Sequence, residues 1–496
     1  MNILGIAAGF HDASATVLSR RGEILFAGHS ERYSGIKNDP NISRGLVEDM
    51  YGFEIDHVAY YERPWAKQLR RLYSGEGIEW NRLSTRRILN QQLHKFCDEP
   101  STVTKISSHN HHLSHAAAGF QTSPFDRATV VIIDAIGEWD TITIWGAEYR
   151  NGRAKYTRLW GQQYPHSIGL FYSAMTQRAG LKPNEEEYIL MGMAAYGKRG
   201  NGAWLQNVLV ENEWAIRFQS NMHIGVANNL LAELPNEEIA AATQYVAENL
   251  VLNVMKRAQD FGWSTNLVYG GGVALNCSIN RYIGDYFNDI WIMPNPGDSG
   301  SSLGAAALVY GHRVVWNSPY LGHLISGNYP VNAVLDCLLS DRICGVASGA
   351  AEFGPRALGN RSLLADPRGP DIKDRVNEIK QRQKFRPFAP VILEEYAGEY
   401  FDLPRGFSSS PYMQTVACCL APDLFPAIVH HDGTSRVQTV GKDCQSGIRE
   451  LLEKWYVVTG CPMLLNTSLN IRGEPMVNDR AGADRFEKLY NIKVFS

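Results

Sequence analysis

Two stretches of the chain carry the same alternating plan, and this duplication constrains the fold more than any other feature. Asn2 to Ala8, Ala13 to Ser19 and Glu23 to His29 are short β-prone runs divided by turn residues. Ala128 to Asp134, Thr141 to Glu148 and Ala154 to Trp160 repeat the pattern. Each trio predicts an antiparallel meander. In both, an acidic turn follows the first strand: Gly9-Phe10-His11-Asp12 in one and Asp134-Ala135-Ile136-Gly137-Glu138 in the other. Two copies of one supersecondary unit predict two related lobes facing a cleft.

Such a duplication points to an α/β chain built on the actin-like (ASKHA) nucleotide-binding fold. Apolar residues recur at helical spacing from Glu237 to Phe261, and Leu267 to Gly272 reads as a strand ending in three glycines. Without a Cβ, Gly270, Gly271 and Gly272 let a backbone approach a ribose or phosphate. The run through Asn276 lacks both the P-loop lysine and the dinucleotide spacing, and glycine triplets also occur in plain turns. Ser318 to Pro330, rich in Gly, Pro and Ser, interrupts the pattern. The expected organisation is residues 1–328 as the duplicated domain and 329–496 as a second, smaller α/β domain.

With 496 residues, 44% of them hydrophobic, the chain is long enough to bury a large core. Its net charge of -3 argues against a surface that is basic overall, though a local basic patch can still meet nucleic acid. Met1 to Phe10 is apolar without a basic leader, and no run approaches the roughly 18 apolar residues of a membrane span. The 8 cysteines include no C-x-x-C pair. A cytoplasmic protein with no membrane partner is expected.

On a helix, His111 and His115 would share one face at metal-ligand spacing, and Asp298 in a Pro-Gly turn would add a carboxylate. A hydrogen-bonded core pair is the competing reading. The second region embeds cations in turns: Arg356, Arg361 and Ser362, then Lys384 and Arg386, with Asn466, Ser468, Asn470 and Arg472 further on. Forked guanidinium groups suit bidentate phosphate binding, so this region is expected to hold an anionic ligand. Ala66 to Lys95 is helical in period and rich in arginine and aromatics, which fits either a solvated face or a lid over an anionic acceptor or nucleic acid.

Taken together, the motifs resemble those of the bacterial O-carbamoyltransferases of the NodU/CmcH type. The most specific are Phe10-His11-Asp12, His111-His112-Leu113-Ser114-His115-Ala116, Gly271-Gly272-Val273-Ala274-Leu275-Asn276, Glu352 to Ser362, Phe385 to Pro390, His431 to Gln438 and Leu465-Asn466-Thr467-Ser468. The resemblance implies an actin-like domain related to the tRNA threonylcarbamoyl transferase, followed by a YrdC-like domain. It implies that carbamoyl phosphate and ATP, with Mg, form carbamoyl-adenylate in the second domain, and that the carbamoyl group is transferred in the first near a divalent metal, commonly Fe(II).

By this resemblance His11 would be the base and Asp12 its orienting partner. His111, His115 and Asp298 would hold the metal. Asp134, Gly137, Gly270, Gly271, Gly272 and Asn276 would face the nucleotide, and the turn cations and polar residues named above would bind carbamoyl phosphate and ATP. Glu31, Arg32 and Lys37 are the acceptor candidates. The resemblance implies a hydroxyl acceptor, most commonly on a small natural product, while a hydroxymethyl-pyrimidine in a nucleotide or DNA offers an equally suitable primary alcohol; a homodimer is compatible with the family. Ala350 replaces a family arginine and Ile189 a lysine, so donor binding is expected to differ in detail. The alternatives are a threonylcarbamoyl-type transferase acting on tRNA and a non-transferring actin-like switch.

Overall fold

The computed structural model describes residues 2–93, 105–382 and 388–496. Its first sheet contains β1 (Asn2–Ala7), β2 (Ser14–Leu18), β3 (Ile24–His29), β4 (Ile55–Tyr60) and β5 (Lys105–Ser108), in the order β3-β2-β1-β4-β5. The second contains β6 (Arg127–Gly137), β7 (Asp140–Arg150), β8 (Arg153–Gln163), β9 (Asn266–Gly270) and β10 (Asp289–Trp291), in the order β8-β7-β6-β9-β10. The two orders are the same. In each sheet the meander is antiparallel and the last two strands are parallel. The duplication read from the sequence is therefore present in the hydrogen-bonded topology, and the expected strands match within a few residues. β2 is buried along its whole length because both faces of the sheet are covered, which is why its alternation is blurred.

Two helices, His111–Thr122 and Ser301–Tyr310, cross between the sheets. They touch backbone to backbone. A Cβ on Gly304 would lie 1.8 Å from the Ser114 carbonyl oxygen, and one on Gly5 of β1 would lie 1.8 Å from that of Ser302. Only glycine admits these approaches, which bring the start of one helix beside the start of the other. Asn110 caps the first helix by accepting the Leu113 N–H at 3.0 Å. The long helix expected over Glu237 to Phe261 spans Asn236–Asp260.

The second region builds a six-stranded mixed sheet in the order Gln438–Val440, Ala389–Leu393, Met463–Ser468, Arg361–Ala365, Ile343–Ala347, Val494–Phe495. Helices Val331–Asp341 and Ile448–Thr459 pack their apolar faces on it around Trp455. The Gly/Pro/Ser-rich stretch is no bare linker. Tyr320–Ile325 within it forms a strand antiparallel to Gly349–Glu352, tying the junction to the second region. Among the described residues no helix is long and apolar enough to cross a membrane.

Two arginines expected at ligand sites are built into this framework instead. Arg361 is fully buried, and its guanidinium donates to the carbonyls of His323, Ser348, Gly349, Asn360 and Asn478 at 2.9–3.2 Å. Arg32, also buried, donates to the carbonyls of Glu352 and Gly354 at 2.5 and 2.6 Å, pinning the first lobe to the second region. Both guanidinium groups are buried against these carbonyls rather than open to a phosphate or an acceptor, although Arg32 Nε has no hydrogen-bond partner among the described residues. Since each buried acceptor left unsatisfied costs about 1–3 kcal/mol, Arg361→Met is expected to lose more than about 3 kcal/mol of stability. Urea unfolding measures it; a variant as stable as the wild type would show that these carbonyls find other donors.

Candidate active site

A cavity of about 1490 Å³ lies between the duplicated part and the second region, with His11, Asp12 and Asp134 at one end and Lys380, Asn466 and Ser468 at the other. At the first end His111, His115, Asp134 and Asp298 converge, one ligand atom from each lying within 4.8 Å of all the others. His111 Nε2 is 3.2 Å from Asp134 Oδ2 and 3.3 Å from Asp298 Oδ1. His115 Nε2 is 3.3 Å from Asp298 Oδ1 and 3.1 Å from His111 Nε2. All four residues are buried.

Local sequence explains the convergence. The helix His111–Thr122 sets the two imidazoles one turn apart, and Glu138 seats its start by accepting the His111 backbone N–H and three N–H groups of Arg63. Gly137 leaves room for the rings, since a Cβ there would meet both His111 and His112 at 2.5 Å. Gly271, at φ +87°, turns the chain after β9 where a Cβ would strike the Ile133 carbonyl. The next N–H, of Gly272, donates to Asp134 Oδ1 at 3.2 Å. Asp298 begins the turn that leads into the second crossing helix.

The electrostatics are those of a compressed charge cluster. Burial disfavours the charged forms of all four groups, but the facing partners outweigh it: both aspartates are held well below the usual carboxylate range, and His111 and His115 are raised. His11 joins the edge. Its Nδ1 donates to Asp12 Oδ2 at 3.0 Å and its Nε2 lies 3.6 Å from Asp298 Oδ2, although about a third of its side chain is exposed. Burial opposes its protonation, yet Asp298 and the Asp12 hydrogen bond push it up to about 9. Behind His111, Glu62 lies 3.8 Å from Nδ1 and takes the Lys67 ammonium at 3.0 Å.

Several sequence assignments change place here. Asp134 was expected to face a nucleotide, but its carboxylate is the fourth member of the histidine–aspartate cluster. Gly137 packs against imidazoles, and neither it nor Gly270 nor Gly271 lines the cavity; of these four assigned glycines Gly272 alone does. Asn276 lines it too, but its side chain also caps the next turn and pairs with Gln244 at 3.1 Å. Glu31 and Lys37 lie on the cavity wall, where Glu31 accepts the Asn38 N–H at 3.0 Å and burial raises its carboxyl.

At the far end Arg356, Asn466, Ser468, Asn470 and Arg472 all line the cavity. Ser362 does not, because its hydroxyl accepts the Gly359 N–H inside the fold. Lys384 and Arg386 lie outside the described residues. Three cations on this wall were not singled out from the sequence: Lys380, which donates to the Ser468 carbonyl at 2.6 Å, Arg382, and Arg436. The buried Nε of Arg436 has no hydrogen-bond partner among the described residues. Its place in the run His431 to Gln438 was the available signal.

The Carbamoyltransferase N-terminus family model matches residues 2–307, and the Carbamoyltransferase C-terminus model residues 335–495. The uncharacterized protein sll1178 of Synechocystis sp. is 32% identical over 96% of this chain and 92% of its own length. Nodulation protein NolNO of Sinorhizobium fredii is 29% identical, covering 97% of this chain and 77% of that protein. Nodulation protein U of Bradyrhizobium diazoefficiens is 30% identical over 78% and 75%, respectively. Both halves of the chain thus carry the same signature, and the protein belongs to the carbamoyltransferases of the nodulation protein U type.

Proposed function

We propose that the chain is an ATP-dependent O-carbamoyltransferase that makes carbamoyl-adenylate at the cationic end of the cavity and transfers its carbamoyl group at the histidine–aspartate end. The observation that supports this is the single cavity joining the two. Atom balance sets the first half: water releases phosphate from carbamoyl phosphate, and the carbamate oxygen then attacks the α-phosphorus of ATP, expelling pyrophosphate. Arg356, Arg436 and Arg472 are the phosphate-binding candidates, with Asn466 and Ser468 as polar donors, in a domain we read as YrdC-like. A carbamoyl-adenylate is a reactive mixed anhydride, and transfer within one shared cavity limits its exposure to water.

Two imidazoles and two carboxylates, buried and mutually in reach, fit a first-row divalent cation, and iron(II) is the ion the family resemblance implies. Held by His111, His115, Asp134 and Asp298, such an ion would supply Lewis-acid polarisation of a carbonyl or phosphoryl oxygen. A cation held there would also offset the pull of Asp298 on His11. The neutral imidazole can then take the proton of the acceptor hydroxyl while its oxygen attacks the carbamoyl carbon, and Asp12 orients the ring through Nδ1. The bond from that carbon to the adenylate oxygen breaks and AMP leaves.

Metal analysis is expected to find one divalent ion per chain, lost in His115→Ala and in Asp134→Asn; unchanged metal in both would remove the cluster from this role. Glu62→Gln, which neutralises the carboxylate behind His111, is expected to weaken the metal about 10–100-fold in a competition with a chelator. Unaltered affinity would leave Glu62 a purely structural partner of Lys67.

The two halves should separate. Arg356→Ala is expected to lose most of the pyrophosphate formed from ATP and carbamoyl phosphate. His11→Asn should keep that reaction but carbamoylate acceptor at least about 10²-fold more slowly. Equal loss of both steps in His11→Asn would contradict the division, as would full adenylation by Arg356→Ala.

A further inference from the structure

We propose that the acceptor hydroxyl is carried by a nucleotide within a nucleic-acid strand, bound across the face formed by Arg63 to Arg87. The inference rests on the carbamoyl-transfer reading above and names its substrate class. Its starting point is a helix turned inside out. In Pro64–Tyr73 the polar Gln68 and Arg70 point inward and are 3% and 6% exposed, whereas Trp65, Leu69 and Leu72 point outward and are 49–55% exposed. Inward, Gln68 accepts the Glu79 N–H at 2.8 Å and Arg70 meets Glu76 at 2.8 Å, so this orientation is fixed. A surface helix normally buries its apolar stripe. Tyr73 and Trp80, 69% and 71% exposed, extend the apolar surface, and contiguous patches of this kind mark binding sites.

The charge around these rings selects the occupant. Seven arginines and lysines lie between Arg63 and Arg87 against Glu76 and Glu79 of the same stretch and against Glu62 and Glu138, which pair with Lys67 and Arg63, a local charge of +3 on a chain of -3. Arg86 and Arg87 are exposed and make no ion pair among the described residues. Flat exposed aromatics interleaved with cations are what a single strand requires: stacking for its bases and neutralisation for its phosphates.

Position connects this face to the reaction. Arg82 donates to the Gly9 carbonyl at 2.9 Å, and the Lys67 ammonium lies 4.6 Å from the ring centroid of Phe10, the exposed residue before His11. A strand lying on Trp80 and Tyr73 therefore passes beside the turn that holds His11. A base bearing a hydroxyl, swung out of that strand, would present its oxygen there. The new bond joins this oxygen to the carbamoyl carbon, the proton goes to His11, and AMP departs with the electron pair of the broken bond. A small acceptor recognised wholly inside the cavity would need no such face.

The test uses the full chain and a labelled single-stranded oligonucleotide of about 20 nucleotides containing a hydroxymethyl-pyrimidine. Fluorescence anisotropy is expected to show binding that weakens at least tenfold between about 50 and 200 mM salt. Trp80→Ala should weaken it at least tenfold, and so should the charge-reversed pair Arg86→Glu with Arg87→Glu, which covers the case of a variant that fails to fold. Pyrophosphate formation without acceptor, measured beside it, should equal that of the wild type. In the wild type, the modified base should be carbamoylated at least tenfold faster within the strand than as a free nucleoside. Absent binding, binding indifferent to both variants, or equal rates on strand and nucleoside would overturn the inference. Pyrophosphate formed under any of those outcomes would leave the carbamoyl-transfer reading standing, whereas its absence would sink that reading first.

Discussion

Four ionisable groups held out of water at one point govern this structure. Burying Asp134 and Asp298 so close together is unfavourable unless positive charge lies between and around them, because desolvation removes several kcal/mol of stabilisation per ion. His111 and His115 provide that charge when protonated, and a divalent cation would provide it in their place. The ligands come from separate segments: the start of one crossing helix, β6 of the second sheet, and the turn leading into the other crossing helix. The cluster can form only where the two lobes meet, and the glycine contacts at Gly5 and Gly304 set how closely they meet.

The arginines of the second region divide by what they face, and this division separates framework from chemistry. Arg361 organises the loop around Gly349 by filling it with donors, while Glu352 accepts the N–H groups of Leu358, Asn360 and Arg361 from the other side. That interior network shapes the turn that aims Arg356 at the cavity. Arg356 also donates to the Leu275 carbonyl at 3.4 Å, so the wall contributed by the second region rests on the glycine-rich turn of the first. One framework thus positions both ends of the proposed route.

The features legible in the sequence were those fixed by short-range periodicity. Strand alternation exposed both meanders, and spacing of four put His111 and His115 on one helical face. The i,i+1 pair His11 and Asp12 was ambiguous, since neighbours on a turn often diverge; a left-handed Asp12 at φ +52° brings their side chains into a hydrogen bond. Asp134 lines the cavity, but its position in an acidic turn does not say that its carboxylate also joins His111, His115 and Asp298. Arg32 and Arg361 were misread for a related reason: whether a guanidinium meets buried carbonyls or an open cavity is decided by packing from distant segments. Lys380 went unnoticed because a single cation carries no local pattern, and Arg436 was given no role although it lies within the motif His431 to Gln438.

The account turns on the claim that the two lobes meet to enclose one cation between His111, His115, Asp134 and Asp298. Anomalous diffraction from crystals of the protein purified with iron, recorded on both sides of the metal's absorption edge, tests this most directly. The account predicts a single peak bounded by the four ligand atoms and beside Nε2 of His11. A peak elsewhere in the chain, or none between those four side chains in metal-replete protein, would contradict it.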